Sequence, residues 1–202
     1  MSEDTIKVWD IAVRVFHWSL VLFFFISYAS EDFELVHEYS GYVVLFLVAF
    51  RVVWGVIGTK YARFSNFVKR PSVVISYLKT LAHPKRYIGH NPAGGAMVVL
   101  LLLSIALTGA TGYKTMYPDS NLLMINSVDI SLVKNALADD DDEHKGDEFW
   151  EEVHEFFANA TLFFVAIHIL GVLYSSLIHN ENLIRSMVDG KKRLDCSAKK
   201  IP

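Results

Sequence analysis

The sequence predicts an all-α integral membrane protein built as a four-helix bundle, and three observations carry that expectation. Of its 202 residues, 52% are hydrophobic and the mean hydropathy is +0.31, more apolar than a soluble domain of this size usually is. Four stretches are each long enough to cross a hydrocarbon core, which takes roughly 20 residues of helix. The charges are segregated along the chain, so their distribution matters more than the formal net charge of -3. No basic stripe suits a nucleic acid.

The first expected span, 11–30, carries Arg14 in its first turn, and the second, 37–57, carries Arg51 near its end. Both arginines are shallow enough to snorkel to the interface or to meet an anionic cofactor group. Ser27-Tyr28-Ala29 has the small-x-small look of a signal-peptide cleavage site, but Glu3, Asp4 and Asp10 are wrong for the basic start such a peptide needs. The third span, 92–113, opens at Asn91-Pro92, an N-cap residue followed by proline at the first helical position. The fourth, 156–178, lies inside an uncharged run from Phe156 to Asn180.

The connection 58–91 holds Lys60, Arg63, Lys69, Arg70, Lys79, Lys85 and Arg86 and no acidic residue, so the positive-inside rule places it in the cytoplasm. The connection 114–155 holds Asp139, Asp140, Asp141, Asp142, Glu143, Asp147 and Glu148, and the turn after the first span holds Glu31, Asp32 and Glu34; both belong outside. The tail 179–202 is basic through Arg185, Lys191, Lys192, Arg193, Lys199 and Lys200. The chain is therefore expected to be one transmembrane domain, 1–202, with both termini cytoplasmic. Within the inner connection, Ser72 to Leu81 suits either a short helix in the interface or a plain loop.

Eight histidines are present, and a histidine at lipid depth is costly unless partnered, which makes function the default reading. His154 and His168 are 14 residues apart. In a helix this leaves them within about 40° on one face and about 21 Å apart along the axis. The direction of each span pairs His37 with His154 near the outer face and His17 with His168 nearer the cytoplasm. Facing imidazoles at equal depth suit the two axial positions of a haem iron, saturating it for electron transfer rather than oxygen binding. Gly41, Ala158 and Gly171 give clearance for a flat macrocycle, and Arg14 and Arg51 can reach propionates. Cys196 is the lone cysteine, so covalent attachment through Cys-x-x-Cys-His is excluded and any haem is of b type. Two histidines per level, without a nearby carboxylate or cysteine, underfill a zinc or copper site. The competing structural reading is that the four histidines hydrogen-bond between helices. His144 and His83 are expected in solvated loops and His179 at the inner interface. His90, at the inner mouth, can serve a quinone headgroup or a propionate.

The chain resembles the bacterial cytochrome b561 family, related to the b-type subunits of membrane hydrogenases and formate dehydrogenases. The residues that carry the likeness are Val8-Trp9-Asp10, Arg14-Val15-Phe16-His17-Trp18, His37 with Gly41-Tyr42, Phe50-Arg51-Val52-Val53-Trp54-Gly55, Ala62-Arg63-Phe64, Gly89-His90-Asn91-Pro92-Ala93-Gly94-Gly95 and Asn182-Leu183-Ile184-Arg185-Ser186-Met187. The resemblance implies a bacterial inner-membrane protein with two haems b stacked across the bilayer, ligated by His17 with His168 and by His37 with His154. It also implies quinone or quinol exchange near the inner haem, for which His90 and Asn91 are the candidates.

The leading expectation is a conduit passing electrons between the quinone pool and an external redox protein, with a c-type cytochrome docking on the acidic stretch 139–148. A membrane-anchor subunit of a hydrogenase or dehydrogenase is the first alternative. A stand-alone oxidase of superoxide or a small reductant is the second. A homodimer is allowed for.

Overall fold

The computed structural model describes residues 5–80, 87–117 and 145–193, without the side chains of 145–148 and 193. Asp139 to Asp142, Glu143, His144, His83 and Cys196 lie outside the described residues, as do the side chains of Asp147 and Glu148. Four long helices dominate: α1 (Ile11–Ala29), α2 (Glu34–Ile57), α5 (Pro92–Met116) and α6 (Lys145–Ile178). Between α2 and α5 lie two short helices, α3 (Phe64–Phe67) and α4 (Pro71–Lys79); α4 falls where the sequence allowed a helix or a loop. Helix α7 (Leu183–Asp189) follows α6.

All four long helices contain windows long and apolar enough to cross a membrane, and the chain is a multi-pass helical membrane bundle. Their outer faces carry large exposed apolar side chains such as Phe46, Phe163, Leu170 and Leu177, which only a hydrocarbon solvent accommodates at this density. The helices start and stop where local chemistry dictates. Asp10 caps α1 by accepting from the Val13 amide at 2.8 Å, and Asn91 caps α5 by accepting from the Gly94 amide at 2.6 Å, with Pro92 at the first helical position. Helix α6 begins about three turns before the expected 156. Glu151, Glu152 and Glu155 are exposed there, so the helix continues beyond the apolar window into a zone where carboxylates remain solvated.

In lipid, burying apolar side chains gives little net gain over leaving them against acyl chains, so close packing and interhelical hydrogen bonds hold the bundle together. Phe16, Val44, Val48, Leu102 and Ile105 interlock α1, α2 and α5. Thr161 of α6 is wholly buried and shares its hydroxyl with Ser104 at 2.5 Å and Thr108 at 3.1 Å on α5. The close pairs are α5 with α6, α1 with α2, and α2 with α5; α6 leans on α5 rather than on α1 or α2.

The two ends of the chain meet. Strand β1 (Thr5–Lys7) pairs antiparallel with β2 (Lys191–Arg193), with Thr5 opposite Arg193 and Lys7 opposite Lys191. Four spans return the chain to its starting side, so this end of the bundle is the terminal face and the other the far face. Val8, Trp9, Val13 and Ala62 form a second core there, packed by Trp54, Tyr61 and Met187. Gly190 ends α7 at φ 80°, and a Cβ there would stand 2.6 Å from the Trp9 carbonyl oxygen. Glycine alone combines that left-handed conformation with that approach.

Candidate functional site

The histidines on the three helices α1, α2 and α6 fall at two depths. At the far face, His37 in the first turn of α2 and His154 on α6 bring their rings to 5.9 Å between centroids, at 87°. Each is held by a backbone carbonyl: His37 Nδ1 donates to Ser27 O on α1 at 2.9 Å, and His154 Nδ1 donates to Thr108 O on α5 at 2.9 Å. A carbonyl oxygen can only accept, so the proton sits on Nδ1 in both rings. Each Nε2 is left with its lone pair, the state in which imidazole binds a metal.

Gly112 makes the second of these bonds feasible. A Cβ at this residue would lie 2.8 Å from His154 Cε1 and 3.1 Å from its Nδ1, so only a glycine on α5 lets the imidazole lie across the helix and reach the carbonyl one turn back. Thr111 Oγ1, at 3.4 Å from His154 Nδ1, borders the same contact. Gly41, one turn after His37, is partly buried, yet a Cβ there would meet no atom within 4 Å. Gly171, also open, faces outward.

Nearer the terminal face, His17 on α1 and His168 on α6 lie close enough for the charge of His168 to be felt at His17. Here His17 Nδ1 is buried without a hydrogen-bond partner among the described residues. Arg14 Nη1 donates to the Val188 carbonyl and Trp18 Nε1 to the Met187 carbonyl at 3.3 Å, tying α1 to α7. Arg51 does not snorkel. It is 3% exposed, its Nη2 donates to Ala62 O at 3.1 Å, and its guanidinium lies 5.0 Å from the Phe64 ring centroid, because the chain after α2 folds back over the helix end. Arg14 Nε and Arg51 Nη1 are buried donors without partners among the described residues.

His90 sits inside a wall of rings, 4.6 Å from Trp9 and 4.5 Å from Phe67. Burial, reinforced by the charges of Arg51, Lys192 and His168, pushes its pKa down to about 3, so the ring is neutral at physiological pH. Asn91, beside it, spends its carboxamide oxygen on the α5 cap. The sequence missed Asp10 as a node of this face: it accepts from Trp54 Nε1 at 3.2 Å and from Thr59 Oγ1 at 2.5 Å in addition to capping α1. It also missed Gly112 and the Ser27 and Thr108 carbonyls.

The residues present fit a haem. Two imidazoles with free Nε2 lone pairs lie 5.9 Å apart between centroids, a partly buried glycine leaves room beside one of them, and buried guanidinium donors lack partners among the described residues at the other level. No cluster of three or more His, Cys, Asp or Glu that could hold a bare metal ion occurs among the described residues.

Four apolar spans with histidines facing across them at two depths are the build of a membrane cytochrome b. The model of the prokaryotic cytochrome b561 family matches residues 8–190, nearly the whole chain, and the chain belongs to that family. It is similar to a curated protein of Rhizobium leguminosarum bv. viciae described as a probable Ni/Fe-hydrogenase B-type cytochrome subunit, 24% identical over 229 residues that cover 95% of this chain and 90% of the relative. No solved structure matches. Membership makes the chain a membrane cytochrome that binds haem b and works in electron transfer.

Proposed function

We propose that this cytochrome carries two haems b, one between His37 and His154 and one between His17 and His168, and passes electrons across the bilayer between the quinone pool and a redox protein on the far side. The observation that carries this reading is the far-face pair: two imidazoles 5.9 Å apart, each locked by a carbonyl into the tautomer that presents Nε2. When bound, haem supplies a one-electron couple; the protein supplies ligands, orientation and dielectric. Ser27 and Thr108 fix the far-face rings, the Thr161 hydroxyl contacts hold α6 against α5, whose Thr108 carbonyl receives the His154 proton, and Arg14 and Arg51 offer donors for propionates near the terminal face.

The terminal face is assigned to the cytoplasm of a bacterial inner membrane, because Lys60, Arg63, Lys69, Arg70 and Lys79 all lie in its connections. Quinone is placed there, beside His90 and His168, where Asn91 retains its amide N–H group to address a carbonyl oxygen. The acidic sequence 139–148 suits a basic c-type cytochrome as the external partner. The relative's description favours a second reading, in which the partner is a hydrogenase and this chain is its membrane subunit; co-purification of an iron–sulfur protein would select that one.

Sealed vesicles containing trapped ferricyanide, with a quinol analogue outside, test the conduit. Ferricyanide should be reduced faster than in protein-free vesicles, and His17→Ala, His37→Ala, His154→Ala and His168→Ala should each lower the excess rate at least about tenfold. Transfer indifferent to the far-face histidines would overturn the route.

A further inference from the structure

We propose that helix α4 is a docking site for anionic phospholipid, holding negatively charged headgroups through Lys69, Arg70 and Lys79 while Ile75 and Leu78 rest on the acyl chains beneath them. The inference is independent of the haem and quinone assignments above.

Length decides where α4 can lie. Its nine residues, Pro71–Lys79, span about 14 Å, less than half the roughly 30 Å of a hydrocarbon core, so it cannot cross and lies along the terminal face. One side is already fixed. Tyr77 is buried, with its ring 5.9 Å from that of Tyr87, and α4 packs against α5. Just before it in the chain, buried Phe67 lies 4.5 Å from the His90 ring. The side chains left outside are therefore not the inner face of an unfinished core. Ile75 and Leu78, both exposed, fall about 60° apart around the helix, each at least about 100° from Tyr77, and Lys79 stands about 40° beyond Ile75. Apolar side chains beside a cation, on a helix too short to span, fit a helix seated in the headgroup region.

Charge selects the occupant. Lys69, Arg70 and Lys79 are exposed, and no acidic residue occurs anywhere in 58–91. None of the three pairs with a carboxylate among the described residues. A zwitterionic headgroup brings a cation of its own and offers no net attraction, whereas an anionic surface strengthens binding about fivefold for each lysine or arginine near it. A second copy meeting α4 face to face would set the same three cations against one another.

Native mass spectrometry of the full-length, haem-loaded protein in detergent, with equimolar phosphatidylglycerol and phosphatidylcholine added, reads the preference. Wild type should retain phosphatidylglycerol at least about tenfold better than phosphatidylcholine, and the triple variant Lys69→Gln, Arg70→Gln, Lys79→Gln should bring the two within about twofold. The triple variant Lys7→Gln, Lys60→Gln, Arg185→Gln removes as many exposed cations of the same face outside α4 and should keep most of the preference. Equal retention of the two lipids by wild type, or an equal loss in both triple variants, overturns the proposal. Wild type alone provides a second arm for the case in which a variant fails to accumulate. Hydrogen exchange of the α4 amides should slow severalfold when vesicles of phosphatidylcholine are replaced by vesicles of phosphatidylcholine and phosphatidylglycerol in equimolar mixture. Exchange that ignores lipid charge overturns the proposal, as does protection that follows the protein-to-lipid ratio instead, which marks a second copy as the occupant.

Discussion

Replacing Gly112 by alanine is the most informative small change in the bundle. The new Cβ would stand 2.8 Å from His154 Cε1, where carbon–carbon contact is comfortable at about 3.5 Å or more, so the ring must retreat by about 0.7 Å. That retreat stretches the 2.9 Å bond from Nδ1 to Thr108 O to about 3.6 Å, beyond hydrogen-bonding range. Moving the helices apart is the costlier response, because it breaks the Thr161 contacts to Ser104 and Thr108 as well. A buried donor left without an acceptor costs about 1–3 kcal/mol, and losing the group that orients a metal-binding histidine typically weakens retention about 10- to 100-fold. Alanine also improves helix propensity by about 1 kcal/mol, so the fold itself should survive. Haem per chain, measured by pyridine haemochrome on detergent-purified protein, should fall toward half, with the low-spin EPR signal of one site broadened or lost. Full haem content with an unchanged EPR spectrum would refute the reasoning.

Further outcomes follow from other contacts. Gly41→Ala meets no protein atom within 4 Å, so thermal unfolding of the haem-free chain should be unchanged or slightly raised while far-face haem binding drops; equal haem content would show that the macrocycle lies elsewhere. Thr161→Val removes the shared hydroxyl and should lower stability by about 1 kcal/mol, seen as unfolding at lower SDS fraction. Burial raises the pKa of Asp10, but donation from Thr59, the Val13 amide and Trp54, together with the charge of Arg51, outweighs it and holds the carboxyl below its ordinary 3.8. A carboxyl depressed on folding stabilises fully above its unfolded value and loses that contribution as pH falls through the folded one. Thermal stability should therefore be flat near neutrality and fall only below about pH 4. Asp10→Asn should blunt that acid limb, whereas Asp10→Ala should cost about 1 kcal/mol at pH 7 through the lost cap.

The parts of this architecture that were legible in the sequence are those written in side-chain chemistry. Four apolar runs fix four membrane helices, Asn91-Pro92 fixes the start of α5, and the spacing of His154 and His168 fixes their common face. What escaped is written in backbone or in tertiary pairing. The carbonyls of Ser27 and Thr108 carry no residue signature, since every residue has one. Gly112 lies in the small-residue stretch Thr108-Gly109-Ala110-Thr111-Gly112, which marks close approach but does not say that the visitor is an imidazole. Asp10 gives no sign of its role, because its partners Trp54 and Thr59 are more than forty residues away. The pairing of β1 with β2 joins opposite ends of the chain, and three-residue strands leave no periodicity to read. The early start of α6 was hidden because an apolar window measures the membrane, not the helix.

The central claim is that four histidines hold two haems in two pairs, and haem stoichiometry in the single-histidine variants tests it most directly. Wild type should contain two haems b per chain, both low-spin with bis-imidazole EPR signals. His37→Ala and His154→Ala should each leave one haem with the same residual spectrum, and His17→Ala and His168→Ala should each leave the other. A single haem in wild type, or residual spectra that group the histidines in any other pairs, would contradict the account.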